Sequence, residues 1–295
     1  GIFAAVSFSR ALPSEESSRQ ALDFMRHRGP DRADLAGDEI CTVGATRLSI
    51  TGSVQSEQPL QRGPLTIAFN GEIYNYRFLR DQLIKAGASI LGDGDTEVLL
   101  HAFSAWGPSA FRLLDGMFAI AIWNSETRTL TLARDRFGEK PLSYAVSQDG
   151  LRAASEVRVL VDALGVSDHL DVSAILDLST HWYIDVPKSI YSEVRQVPPG
   201  HVLECRRGSL SLSDWRAQGF SENAQTRPAN SIDNALRSAM ESMVPRKEGS
   251  ALLLSSGIDS GLLASYAAEL NQDVVAITTS FTETDFDESL NASRV

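Results

Sequence analysis

Cysteine, histidine, basic charge and long apolar runs are all scarce in this 295-residue chain, and each shortage removes a class of protein. The two cysteines, Cys41 and Cys205, lie far apart and neither belongs to a C-x-x-C pair, which excludes a disulfide framework and a zinc site. Such cysteine use fits a reducing compartment, and a cytoplasmic location is the expectation. Acidic residues outnumber basic ones to give a net charge of -11, which argues against nucleic-acid binding and against docking on an anionic membrane. No stretch approaches the roughly 18 to 20 apolar residues that cross a bilayer. The first twenty residues lack the basic start and the apolar length of a secretory signal. The five histidines are scattered without metal-ligand spacing, so no transition-metal site is expected.

What remains is ordinary globular material, 43% hydrophobic and 22% charged, long enough for more than one domain. Short apolar or alternating runs at 65–69, 117–123, 129–134 and 142–146 read as strands bounded by Gly, Asp and Asn. Between them, 76–87 and 95–107 place apolar residues at helical spacing and end on glycine. Residues 209–229 are polar and nearly free of aliphatic side chains, and read as a connection between a domain at 1–208 and the start of another at 230–295. The second region opens with a helix at 231–244. An apolar strand, a Ser/Gly turn, a helix and a second buried strand at 273–281 follow, which is a βαβ unit of a parallel sheet. One unit cannot cover both faces of such a sheet, so the second domain is expected to be truncated.

Four stretches carry chemistry. In FNGEIYNY, Asn70-Gly71 reads either as a two-residue hairpin turn or as an oxyanion hole, in which the Asn70 amide and the Gly71 N–H converge on one point. In ATRLSITG, Arg47 is either a surface arginine or a planar fork for a carboxylate. In GDGDTEVLL, Asp95 stands where a helix N-cap belongs, and its carboxylate could also receive an ammonium group. In LLLSSGIDSG, a strand-to-helix turn aims backbone N–H groups where phosphate binds. It lacks the lysine of G-x-x-x-x-G-K-[ST] and the glycines of G-x-G-x-x-G. An aspartate beside an anion site, Asp259, implies a divalent cation such as magnesium between carboxylate and phosphate.

The order and spacing of these segments resemble one family. GIF at the start, RHRGPD (26–31), TRLSI (46–50), NGEIYNY (70–76), GDTEVLL (94–100), LDGMFAIAIW (114–123), ARDRFGEKPL (133–142), ASEVRVL (154–160), VPPGH (197–201) and SSGIDS (255–260) run in the order of glutamine-dependent asparagine synthetases. That resemblance implies an α+β domain followed by an α/β one. The first is an N-terminal-nucleophile four-layer αββα sandwich that hydrolyses glutamine, and the second is a partial parallel-sheet ATP-pyrophosphatase domain. It further implies that Arg47 meets the glutamine α-carboxylate and Asp95 its α-ammonium, that Leu48, Ile50 and Glu72 line the glutamine site, and that Asn70 and Gly71 hold the oxyanion. Leu253, Ser255, Ser256, Gly257, Asp259, Ser260 and Thr279 become the ATP contacts, with Asp259 on Mg2+. The family turn usually reads Ser-Gly-Gly-Leu-Asp-Ser, so Ser256 departs from it.

The same resemblance requires a nucleophilic cysteine immediately before Gly1, where this sequence has no residue. A free α-amine is well matched to deprotonate such a thiol, and neither Cys41 nor Cys205 carries one. The expected activity is amide formation from glutamine, ATP and aspartate or a related carboxylic acid, through an acyl-adenylate, with release of AMP and pyrophosphate. Two alternatives are a glutaminase-dead amide ligase of the β-lactam-synthetase type and a non-catalytic glutamine-binding module. Oligomeric state is not readable from the residues, and a homodimer stays open.

Overall fold

The computed structural model describes residues 1–9, 12–49, 58–216, 229–244, 250–270, 273–282 and 287–294. The chain divides into two compact units, residues 1–219 and 220–295.

The first unit begins with β1 (Ile2–Ser7), α1 (Glu15–Phe24), β2 (Arg32–Gly37), β3 (Cys41–Arg47), β4 (Leu60–Arg62) and β5 (Leu65–Ile73). Two helices follow, α2 (Tyr76–Lys85) and α3 (Asp95–Trp106), then β6 (Gly116–Asn124), β7 (Thr129–Arg134), β8 (Ser143–Val146) and β9 (Gly150–Ala154). It closes with α4 (Val172–His181), β10 (Val194–Gln196), β11 (His201–Arg206) and β12 (Ser209–Asp214). One sheet has the order β10-β8-β9-β1-β3-β2 and the other β12-β11-β7-β6-β5-β4. Every pairing described within them is antiparallel.

Three apolar layers hold the unit together. Between the sheets lie Ile2, Ala4, Val6, Val43, Ala45, Ala68, Ala119, Ala121 and Trp123. The alanines leave little side-chain volume between the two sheets, and Trp123 is the largest side chain buried there. Outside the second sheet, Ile67, Phe69 and Ile73 pack on Leu79, Leu83, Val98 and Leu99 from α2 and α3. Outside the first, Phe3 packs on Ala21 and Leu22 of α1 and on Val159 and Leu160. Helix, sheet, sheet and helix are the four layers of an N-terminal-nucleophile sandwich, followed in the chain by a small parallel sheet.

Residues 209–214, read from composition as part of a connection, form β12 and pair along their whole length with β11. The misreading has a physical cause. All six residues of this edge strand are exposed, so SLSLSD needs no aliphatic face. Trp215 next to it is buried, donating its indole N–H to Arg134 O at 3.1 Å and stacking on Phe118 with ring centroids 5.7 Å apart. Asn70-Gly71 is likewise not a turn. It lies within β5, paired with Ala119 and Phe118.

The second unit contains α5 (Ala229–Met243), β13 (Ser250–Leu253), α6 (Ile258–Leu270), β14 (Val274–Ile277) and α7 (Ser289–Ala292). β13 and β14 are parallel with Leu253 opposite Ile277, as the βαβ reading requires. Among its described residues, Met240, Tyr266, Ala267 and Ala292 are the buried apolar ones.

Candidate functional site

Strand alternation sets the direction of the first site's side chains. Ala68 of β5 packs between the sheets while Ile67 and Phe69 face the helices. A period of two therefore turns Asn70 and Glu72 toward the first sheet as well. A fixed point shows which end they reach. Trp123, opposite Thr66 on β5, donates its indole N–H to Asp38 Oδ2 at 2.7 Å. Asp38 also caps the turn into β3, accepting Cys41 N–H at 2.9 Å. The Thr66 end of β5 thus lies over the Cys41 end of β3. Asn70 and Glu72 lie toward the opposite end, where β3 finishes at Arg47 and β1 begins.

That beginning is buried and firmly bonded. The Gly1 amine donates to Thr46 O at 2.9 Å, and Thr46 N–H returns a bond to Gly1 O at 2.8 Å. Ile2 N–H donates to Ser155 Oγ at 3.0 Å. Burial, reinforced by the Arg28 cation, lowers the Gly1 amine from 8.0 to about 5, so it is neutral at neutral pH. Arg28 is itself 3.4 Å from Glu156, which His27 approaches to 2.8 Å.

The Asn70 amide is the distinctive group here. Its Nδ2 is buried and has no hydrogen-bond partner among the described residues. An unsatisfied buried donor typically costs about 1–3 kcal/mol, and such a cost invites a functional explanation. Gly71 next to it has φ 155°, and a Cβ there would stand 2.0 Å from Met117 O. Only glycine fits so close to the neighbouring strand.

Asp95 opens α3 as its first helical residue, with Gly94 at the N-cap position assigned to Asp95 from sequence. Its carboxylate turns across to β5, where Oδ2 accepts Ile73 N–H at 3.2 Å. Burial, then the Glu72 carboxylate, push its pKa from 3.8 to about 6. Two acids drawn together in a desolvated place are suited to a cation such as an ammonium group. Arg47 ends β3 half-buried and Leu48 beside it is exposed. Ile50, the remaining expected glutamine contact, lies outside the described residues.

Neither cysteine can act as a nucleophile at this place. Both are buried in the apolar layer between the sheets, and burial raises both thiol pKa values, that of Cys41 well above its ordinary value. A protonated thiol in a hydrocarbon core is inert.

In the second unit, Ser255–Ser260 is a turn knitted by its own hydroxyls. Ser260 Oγ accepts Ser255 N–H at 3.2 Å, and Gly257 N–H donates to Ser255 Oγ at 3.2 Å. Ser256 donates both its N–H and its hydroxyl to Glu288 Oε2, at 3.1 and 3.0 Å. A carboxylate oxygen on these two donors shows that they suit an anion. Leu253 ends β13 and is 79% exposed, and Thr279 follows β14. Both therefore stand at the carboxyl edge of the parallel pair, the edge where open α/β sheets bind ligands. Asp259 is in the first turn of α6. Among the described residues no three His, Cys, Asp or Glu side chains gather as a metal site, so Asp259 stands without a complete ligand set.

Sequence reasoning missed Arg28, Gln58 and Thr96. RHRGPD carries the resemblance as a segment but assigns Arg28 no role. Gln58 and Thr96 join β5 to α3 through side-chain hydrogen bonds, and a lone glutamine ahead of a proline carries no local signal for such a contact.

The chain belongs to the glutamine amidotransferase domain family, whose model matches residues 1–216. Residues 229–295 match the asparagine synthase model. Asparagine synthetase [glutamine-hydrolyzing] 1 of Bacillus subtilis is 30% identical over 98% of this chain and 46% of its own length. A Mycobacterium tuberculosis protein that bears the name glutamine-hydrolyzing asparagine synthetase provisionally is 33% identical over 91% of this chain and 45% of its own. The chain thus spans less than half the length of these relatives. Among solved structures, the glutamine phosphoribosylpyrophosphate amidotransferase of B. subtilis, complexed with ADP and GMP, shares the fold. Its TM-score is 0.55 at 18% identity, covering 100% of this chain and 70% of that one.

Proposed function

We propose that residues 1–216 bind free glutamine and release its amide nitrogen, and that the second unit belongs to an ATP-dependent machinery that places this nitrogen on a carboxylic acid. The observation that carries the first half is the buried Asn70 Nδ2, without a partner among the described residues, on the end of the sandwich shared with Gly1 and Arg47. A donor held dry and unoccupied is preorganised for the negative oxygen that forms when a carboxamide carbon is attacked. Gly71 N–H is its companion. The Arg47 guanidinium receives the glutamine α-carboxylate, Asp95 with Glu72 receives the α-ammonium, and Leu48 and Ile50 flank the ligand.

The nucleophile in this reading is a cysteine directly preceding Gly1. Its support is the pocket around the Gly1 nitrogen, which favours an uncharged group at that position, as a peptide N–H would be. In the second unit, Ser255, Ser256, Gly257 and Ser260 hold the phosphates of ATP, with Leu253 and Thr279 toward its adenosine and Asp259 as one ligand of Mg2+. The carboxylate of the acceptor, aspartate or an aspartate-like acid, would take the adenylyl group of ATP with release of pyrophosphate, and ammonia would then displace AMP to leave the amide.

Calorimetric titration of the chain with L-glutamine tests the first half without needing the nucleophile. Saturable binding, lost in Arg47→Ala, is expected, with asparagine and glutamate binding more weakly. A flat titration refutes the assignment. Glutamate release by the chain with Met-Cys placed before Gly1, abolished by Cys→Ser, tests the nucleophile.

A further inference from the structure

Gln58 stands ahead of β4, and its side chain ties together the two elements that carry the candidate glutamine site. Gln58 Oε1 accepts Phe69 N–H at 2.8 Å, while Nε2 donates to Thr96 Oγ1 at 3.1 Å. The amide cannot be reversed, because a backbone N–H requires the carbonyl oxygen opposite it. Phe69 immediately precedes Asn70, and Thr96 immediately follows Asp95.

The contacts form a closed ring. Having accepted from Gln58, the Thr96 hydroxyl turns its hydrogen to Asp95 Oδ1, 3.4 Å away. The other oxygen of Asp95 accepts Ile73 N–H at 3.2 Å. From Phe69 through Gln58, Thr96 and Asp95 the ring returns to β5 at Ile73. Asn70, Gly71 and Glu72 are the residues it encloses. Position in the ladder explains why a side chain is used. The β4–β5 pairing ends with Leu60 opposite Ile67, so Phe69 N–H lies beyond the last strand partner. Gln58 supplies the acceptor there, and Thr96 is 5% exposed, too dry for water to replace the bond.

We propose that Gln58, acting through Thr96, is a positioning residue that sets the distance between the oxyanion donors on β5 and the ammonium-binding carboxylate at the start of α3. This rests on the glutamine-site reading above. A free amino acid spans both places at once, so slack between them is felt as lost affinity and lost reactive geometry. Misplacement of about 1 Å costs on the order of 100-fold in productive alignment.

Two variants and glutamine calorimetry test it. Thr96→Val keeps the volume and removes the hydroxyl; it should raise the glutamine Kd by about tenfold or more, with Thr96→Ser restoring it to within about twofold. Gln58→Glu keeps the acceptor for Phe69 and places a charge beside Asp95. The ionisable group facing Asp95 is Glu72 from β5; Glu97, two residues along α3, turns away from it to accept the Leu91 and Gly92 N–H groups, near Arg62 and His101. A further carboxylate opposes ionisation of Asp95, so the acidic midpoint of glutamine binding should move up by about one pH unit. Unchanged affinity in Thr96→Val together with an unmoved midpoint in Gln58→Glu overturns the proposal, as does a change confined to melting temperature. Should Asp95→Asn also bind glutamine like the parent chain, the site reading itself fails, which separates the two outcomes.

Discussion

Asp95 Oδ2 accepts the Ile73 amide hydrogen at 3.2 Å, which fastens the first turn of α3 to the strand that carries Asn70 and Gly71. The bond holds a carboxylate in a dry place beside Glu72, where its pKa rises to about 6. Stability alone would not select an acid there.

Asp95→Asn is expected to stabilise the chain. Between pH 3.8 and about 6 the folded state keeps a proton that the unfolded chain has lost, so stability falls as pH rises through this window and the loss is complete above it. A shift of about two pKa units corresponds to ~3 kcal/mol. Urea unfolding at pH 7.5 should show the variant more stable by ~1–3 kcal/mol, with the advantage gone at pH 4, and glutamine binding weakened at pH 7.5.

Asn70→Leu separates catalysis from folding. Nδ2 has no described partner to lose, so melting temperature should hold or rise. In a chain with cysteine before Gly1, glutamine hydrolysis should slow by about 100- to 1000-fold, the usual cost of one oxyanion donor. A variant that hydrolyses glutamine at the parent rate would remove Asn70 from the oxyanion site.

Gly71→Ala acts on the backbone. The added methyl would meet Met117 O at 2.0 Å, and that oxygen belongs to the ladder between β5 and β6. Overpacking of this kind costs ~1–3 kcal/mol, measurable as a lower denaturant midpoint. Glutamine affinity should fall with it, because the strand must move to make room.

In the chain whose Gly1 amine is free, that group shapes the pH dependence between about pH 5 and pH 8. Its pKa is lowered from 8.0 to about 5, so between these values the unfolded chain binds the extra proton and stability rises with pH. The full effect is ~4 kcal/mol by the same conversion. Formylating Gly1 removes the titrating cation, and comparison of the two forms by urea unfolding at pH 5 and pH 8 should show the slope only in the free-amine chain.

Trp215→Ala tests the boundary of the first unit. The side chain is buried against Phe118 and bonded to Arg134 O. Its truncation should cost ~3–5 kcal/mol, as for large aromatic residues in a core. A neutral effect would return 209–216 to the status of a connection.

Local pattern and tertiary packing made different parts of this protein legible. The strand at 129–134 stands out because Leu130 and Leu132 face the layer between the sheets and alternate with Thr129 and Thr131, a period of two written in the residues themselves. β12 did not, because both of its faces meet solvent and nothing constrains its composition except hydrogen bonding along the backbone. The dipeptide Asn70-Gly71 was ambiguous for a similar reason. Its residues suit a turn or a strand held hard against its neighbour, and only the pairing with Ala119 and Phe118 distinguishes them.

The amino-acid sequence by itself determined the class of fold, the order of the two units and the identity of the residues with reactive or charged groups, since each follows from side-chain chemistry and spacing along the chain. Tertiary structure alone decided which of those groups face one another. The register of β5 against β6 and the bond from Trp123 to Asp38 carry Asn70 to the end of the sandwich where Gly1 lies. Gln58, some eleven residues from Phe69 and thirty-eight from Thr96, acquires its place only when β5 and α3 are packed together. Such contacts depend on distances through space, which a linear order of residues does not contain.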